Sequence, residues 1–73
     1  MNMDMSIETI NIPVAGQDTF EQAFAKATDG LNERMKIVIE RQNKQVVNMT
    51  QSHSTGYVPG NGYFCTIIAT LQF

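Results

Sequence analysis

The segment from residue 45 to residue 73 contains no Asp, Glu, Lys or Arg, and this absence constrains the fold more than any other feature. All 5 basic and 7 acidic residues of the 73-residue sequence come before it. The surface of a soluble monomer normally carries many charged side chains. We therefore expect another subunit or a partner to cover part of the segment. Solvation by its many Thr, Asn, Gln and Ser side chains is the alternative.

Two strands are predicted within this segment, over residues 45–53 and 63–73. The second of them alternates with a period of two, which places successive side chains on opposite faces of a sheet. One face would be almost wholly apolar and would consist of Tyr63, Cys65, Ile67, Ala69, Leu71 and Phe73. We expect a helix to cover that face.

The nine residues between these strands, 54–62, are rich in glycine and predict a hairpin loop. Pro59-Gly60 suits the centre of a type II turn, and Asn61-Gly62 suits a tight hairpin turn. Hairpins usually need about two to five loop residues, so the extra length makes this loop a candidate contact site. A long turn without a binding role is the alternative.

An apolar stripe predicts one long helix over residues 19–43. Its members follow one another at steps of three and four residues: Phe20, Ala23, Phe24, Ala27, Leu31, Met35 and Val38. Asp18 and Glu21 fit a capping box at its start, and Thr19 with Gln22 is the alternative register. Gly30 indicates either a bend or the close approach of a neighbouring backbone.

The end of this helix has a second interpretation. A shorter helix would end near Arg34, and a fourth strand would occupy residues 36–41, which are rich in β-branched side chains. Opposite charges at helical spacing, such as Glu33 with Lys36, favour the long helix.

Residues 6–14 predict the first strand, with Ile10, Ile12 and Val14 on one face. Pro13 has no N–H to donate, so this end of the strand is expected either at a sheet edge or already outside the sheet. The element order is then strand, helix, strand, strand.

The predicted fold class is α+β, with one long helix packed on a three-stranded, mainly antiparallel sheet. We expect a single domain over residues 1–73, with residues 1–5 as a frayed start.

The chain is too short for a large core, and one core of this size rarely supplies more than about 3–5 kcal/mol. With one Cys and one His, a single chain can form neither a disulfide nor a Cys/His zinc site. We therefore expect a homo-oligomer. The second face of the last strand is the predicted interface, formed by Phe64, Thr66, Ile68 and Thr70.

Catalytic chemistry is not indicated. His53 and Ser54 are neighbours in a predicted strand and would point to opposite faces, which is poor geometry for a triad. Cys65 lies on the apolar face and is expected to be an inert thiol. We expect no catalytic residue, no metal site and no resident cofactor. The net charge of −2 argues against nucleic acid, and no apolar run is long enough to span a membrane.

The candidate binding residues cluster around the predicted loop. Two tyrosines would supply flat contact area with hydrogen-bonding hydroxyls, and polar side chains would surround them. The set is His53, Ser54, Thr55, Tyr57, Asn61 and Tyr63. A planar ligand such as a nucleotide or a flavin could stack there, which is the alternative to a protein partner.

In its layout of strand, helix and two strands in about seventy residues, the chain resembles the dodecins, which are small oligomeric flavin binders. This resemblance implies a flavin ligand. The sequence departs from the family in having no Trp, the residue on which those proteins stack the flavin.

We expect a small, non-enzymatic, homo-oligomeric interaction module that acts in the cytoplasm. Its partners would be itself and a larger protein, for which it would serve as an inhibitor or adaptor of the phage or mobile-element type. Binding of a nucleotide or a flavin is the alternative function.

Overall fold

The computed structural model describes residues 5–73, which form one helix and three strands. In chain order these are β1 (Ile7–Gln17), α1 (Phe20–Gln42), β2 (Asn48–Val58) and β3 (Gly62–Gln72). The predicted α+β fold and its element order are confirmed. The expected frayed start at residues 1–5 lies outside the described residues, except for an exposed Met5.

The three strands form one antiparallel sheet in the order β1-β3-β2. The last strand in the sequence is therefore the central strand of the sheet. It pairs with β1 from Tyr63 to Gln72 and with β2 along its whole length. Both edges of β3 are occupied, so it can contact another molecule only through a face.

The helix begins and ends through local hydrogen bonds. The Thr19 hydroxyl accepts from the Gln22 N–H at 3.1 Å, and the Gln22 Oε1 atom accepts from the Asp18 N–H at 3.2 Å. The prediction that Asp18 caps with Glu21 is therefore wrong, and the alternative register holds. The helix ends at Gln42, and the following Asn43 adopts the left-handed conformation and donates its N–H to the Ile39 carbonyl. Residues 36–41 are thus helical, and the fourth strand does not form.

The core lies between α1 and the helix-facing side of β1 and β3. The predicted apolar face of β3 is confirmed, because small and branched side chains of the helix pack onto it. The buried residues are Ile10, Ala23, Ala27, Leu31, Val38, Cys65, Ile67, Ala69, Leu71 and Phe73. Gly30 marks the close approach of a side chain, and not of the neighbouring backbone that one of its two interpretations predicted. A Cβ atom there would lie 3.1 Å from Cγ2 of Ile12.

The hairpin differs from its prediction. Strand β2 continues to Val58, so the prediction of a nine-residue loop over residues 54–62 is wrong. The turn consists of residues 59–61 only. The Asn61 N–H donates to the Val58 carbonyl at 2.9 Å, and Gly60 has a φ of 80°, as the predicted type II turn requires. Gly62 is the first residue of β3 and not part of a second tight turn.

A polar cluster joins the end of α1 to the start of β1. The Glu8 carboxylate accepts hydrogen bonds from Gln42 Nε2 at 2.6 Å and from Arg41 Nη2 at 3.2 Å. These two bonds, chiefly the one from Gln42, lower the pKa of Glu8 below its ordinary value of 4.5. The charged form of Glu8 therefore favours the folded chain.

We expect Glu8→Gln to reduce the pH dependence of stability in the acid range. The folded-state pKa of Glu8 is lowered, so its contribution is present above pH 4.5 and is lost as the pH falls through the folded-state value. Urea unfolding at pH 6 and pH 3 should show a smaller loss in the variant than in the parent. Glu33→Gln, at an exposed position of α1, controls for the change in net charge. Equal losses in Glu8→Gln and the parent would contradict the prediction.

Candidate functional site

The structure distributes the six predicted binding residues over two faces of the sheet and the turn. His53, Thr55 and Tyr57 lie opposite Ile67, Cys65 and Tyr63 of β3, on the side that faces the helix. Ser54 points to the other face, and Asn61 lies in the turn. The six residues therefore do not form one loop site, because continued pairing of β2 with β3 turns alternate side chains away from each other.

Two of them do come together. The rings of Tyr57 and Tyr63 have centroids 4.9 Å apart and planes inclined at 56°. Tyr57 is exposed, whereas Tyr63 is half-buried and packs against the core. The pair forms a small aromatic platform beside the turn.

The helix leaves most of β2 uncovered, because α1 packs mainly against β1 and β3. We call the helix-side face of β2 the β2 shelf. It consists of Met49, Gln51, His53, Thr55 and Tyr57, and every one of these side chains is exposed.

An aromatic row borders the β2 shelf. The rings of Phe24 and His53 meet edge to face with centroids 5.8 Å apart, and the rings of Phe20 and Phe24 lie 6.1 Å apart. Both phenylalanines belong to the apolar stripe of the predicted helix, yet neither is buried in the core. They are 41% and 39% exposed, because the sheet beneath this flank of α1 is the strand that the helix does not cover.

The opposite side of the sheet is covered by no element among residues 5–73, and we call it the open face. Threonines lie side by side across all three strands, with Thr9 and Thr50 on either side of Thr70. None of its members is charged, and the most exposed apolar ones are Ile7, Val58 and Ile68. The members are Ile7, Thr9, Asn11, Pro13, Asn48, Thr50, Ser52, Ser54, Gly56, Val58, Phe64, Thr66, Ile68, Thr70 and Gln72.

Gly56 and Phe64 form a matched pair on the open face. The Phe64 ring lies over Gly56 so closely that a Cβ atom there would be 2.7 Å from the ring. This contact explains why a glycine, which we interpreted as a loop residue, occupies this position of the strand. The predicted interface residues Phe64, Thr66, Ile68 and Thr70 all lie on the open face.

The reactive side chains are kept apart. Cys65 is fully buried beneath the helix, and this burial raises the pKa of its thiol. His53 and Ser54 lie on opposite faces of β2. Within residues 5–73 no three His, Cys, Asp or Glu side chains are grouped as metal ligands, and no pocket is found. The only helix of the described chain lacks the apolar length to cross a membrane.

Comparisons with known proteins identify no related protein. No protein family model matches the chain, and no curated protein or solved structure matches it significantly.

Proposed function

We propose that this protein is a small, non-enzymatic interaction module that assembles with itself through its open face. The observation that carries the proposal is the uncharged character of that face across all three strands. Charged side chains are the usual means by which a sheet face stays in solution. A second copy, with the same uncharged face, is the occupant that we propose.

The open face has the area of a small protein–protein interface. Three strands of 11 residues span about 14 Å by 36 Å, which is a flat area of about 500 Å². This area does not count the surface that the projecting side chains add. A standard interface buries about 800 Å² per partner. Exposed Ile68 at the centre would be the apolar anchor, and Thr and Ser hydroxyls around it could pair across the interface.

Assembly through the open face leaves the helix side for a larger protein. The Tyr57–Tyr63 platform and the Phe24–His53 pair would provide contact area there. We propose that the protein acts in the cytoplasm as an inhibitor or adaptor of that larger protein, of the kind that phages and mobile elements encode. The single unpaired Cys65 supports that location.

Binding of a planar ligand, a nucleotide or a flavin, is the second candidate function. The observation that favours it is the 4.9 Å separation of the Tyr57 and Tyr63 rings, one of which is exposed. Native mass spectrometry of protein purified from its own host separates the two functions. A bound small molecule would select the ligand binder, and a co-purifying protein would select the interaction module.

We expect Ile68→Lys to reduce the mass of the assembly by about half, because each interface would bury an unpaired ammonium group. Light scattering at micromolar concentration measures this mass, and Phe64→Lys should act in the same way. Ile37→Lys is the control, since Ile37 is exposed on the helix and its change should leave the mass unaltered. A parent particle of 8.2 kDa would refute assembly. An unchanged mass in both open-face variants would show that another surface is used.

A further inference from the structure

The two outer edges of the sheet differ in their protection against further strand pairing. The β1 edge contains Pro13, which has no N–H, and its register is interrupted between Val14 and Gln17. Gly16 adopts a φ of 73° within that irregularity. Proline and bulges are the devices with which natural sheets block an exposed edge.

Strand β2 has none of these devices. Its register with β3 continues without a shift from Asn48 to Val58, and it contains neither proline nor a charged residue. All its residues are exposed except the half-buried Gly56. A long, regular and uncharged edge presents its free N–H and C=O groups as a template for another strand.

We infer that the β2 edge pairs antiparallel with the β2 edge of a second copy, so that two sheets become one six-stranded sheet. This inference shares with the proposed function only the premise that copies associate, since it uses a different surface. A two-fold axis relates identical edges in such a contact, and antiparallel pairing is the arrangement that this axis produces.

The length of β2 selects a register. His53 is the middle residue of this 11-residue strand, so full overlap places His53 of one copy opposite His53 of the other. Met49 of each copy then lies opposite Tyr57 of its partner. These two side chains are 45% and 57% exposed in the single chain, and they would pack side by side on the helix side of the joined sheet.

The self-complementary edge favours a second copy over an extended segment of another protein. No Asp, Glu, Lys or Arg side chains are brought together by the two-fold axis, because β2 has none. The helices do not collide either. Each lies over β1 and β3, so the two axes would be about four strand spacings, or about 19 Å, apart. Packed helices need only about 8–10 Å.

Cysteine cross-linking tests the register directly. In a Cys65→Ala background, His53→Cys should form a disulfide-linked dimer under mild oxidation, because opposite Cα atoms in a sheet lie within disulfide range. Gln51→Cys is the matched control on the same face. Its two copies would be offset by four residues, or about 13 Å, which a disulfide cannot bridge. Linked dimer should be at least about ten times more abundant for His53→Cys. Equal yields, or no linked dimer, would overturn the inference.

A second variant tests the edge without cysteines. Gln51→Lys with Thr55→Lys would set lysines of the two copies opposite each other and should halve the mass of the assembly. Ala25→Lys with Asn32→Lys, at exposed helix positions, is the control. An unchanged mass in the edge variant would count against the pairing, as would a co-purifying protein without linked dimer.

The open-face proposal and the edge inference can be refuted independently of each other. If the edge pairs, Ile68→Lys should retain the His53→Cys cross-link even where it lowers the mass. If His53→Cys cross-links but Ile68→Lys and Phe64→Lys leave the mass unchanged, the open-face proposal is refuted and the edge inference is supported. If those two variants lose mass but no cross-link forms, the open-face proposal is supported and the edge inference is refuted.

Discussion

Replacing Ile67 with alanine should lower the free energy of unfolding by about 4 kcal/mol, close to the largest cost of a buried Ile→Ala change. Ile67 lies at the middle of the central strand, between Ile12 of β1 and His53 of β2, and is fully buried beneath the helix. A domain of this size has about 3–5 kcal/mol from its core. The variant should therefore be largely unfolded at 25 °C unless assembly rescues it.

Circular dichroism and urea unfolding at low protein concentration measure this effect. Ile37→Ala is the control, because it makes the same change at a helix position that is 56% exposed. Alanine also has the higher helix propensity, so the control should stay within about 0.5 kcal/mol of the parent. A loss below 1 kcal/mol for Ile67→Ala would mean that the helix does not pack as described.

Gly62→Ala should cost about 3 kcal/mol, because two effects combine at this position. Its φ of 94° lies in the region that residues with a side chain rarely adopt. A Cβ atom would also lie 2.6 Å from the Gln17 carbonyl oxygen and 3.3 Å from its nitrogen. Both neighbours are backbone atoms, so the end of β1 would have to move.

Gly60→Ala separates these two effects. Gly60 has a similar φ of 80°, but a Cβ atom there meets nothing within 4 Å. The control should cost only about 1 kcal/mol, the strain of the left-handed conformation. Equal losses in the two variants, by urea unfolding, would show that β1 does not approach Gly62 closely.

Much of this fold could be predicted from local patterns. The spacing of Ala23, Ala27, Leu31 and Val38 indicated the long helix, because those positions are one face at 3.6 residues per turn. The alternation of side chains in β3 indicated its buried face, because successive residues of a strand point to opposite faces of the sheet.

The rest depends on contacts between distant residues. Gly56 reads locally as a loop residue, and only its pairing with Phe64 across the hairpin makes it part of a strand. This one error extended the predicted loop and placed Ser54 beside Tyr57. The exposure of Phe24 depends on where α1 crosses the sheet, which helical spacing does not specify.

The position of β3 has a consequence for how the chain is made. Both outer strands pair with β3 and neither pairs with the other, although β3 is the last of the four elements to be synthesised. While the ribosome is still adding residues 62–72, the helix has no sheet on which to bury its apolar stripe. The hairpin with β2 can close locally, whereas β1 must find a partner up to 65 positions away, Ile7 opposite Gln72. Such distant pairing slows folding. A nascent chain that stalls before residue 62 therefore holds an exposed amphipathic helix and two unpaired strands, which is the kind of intermediate that chaperones and proteases recognise.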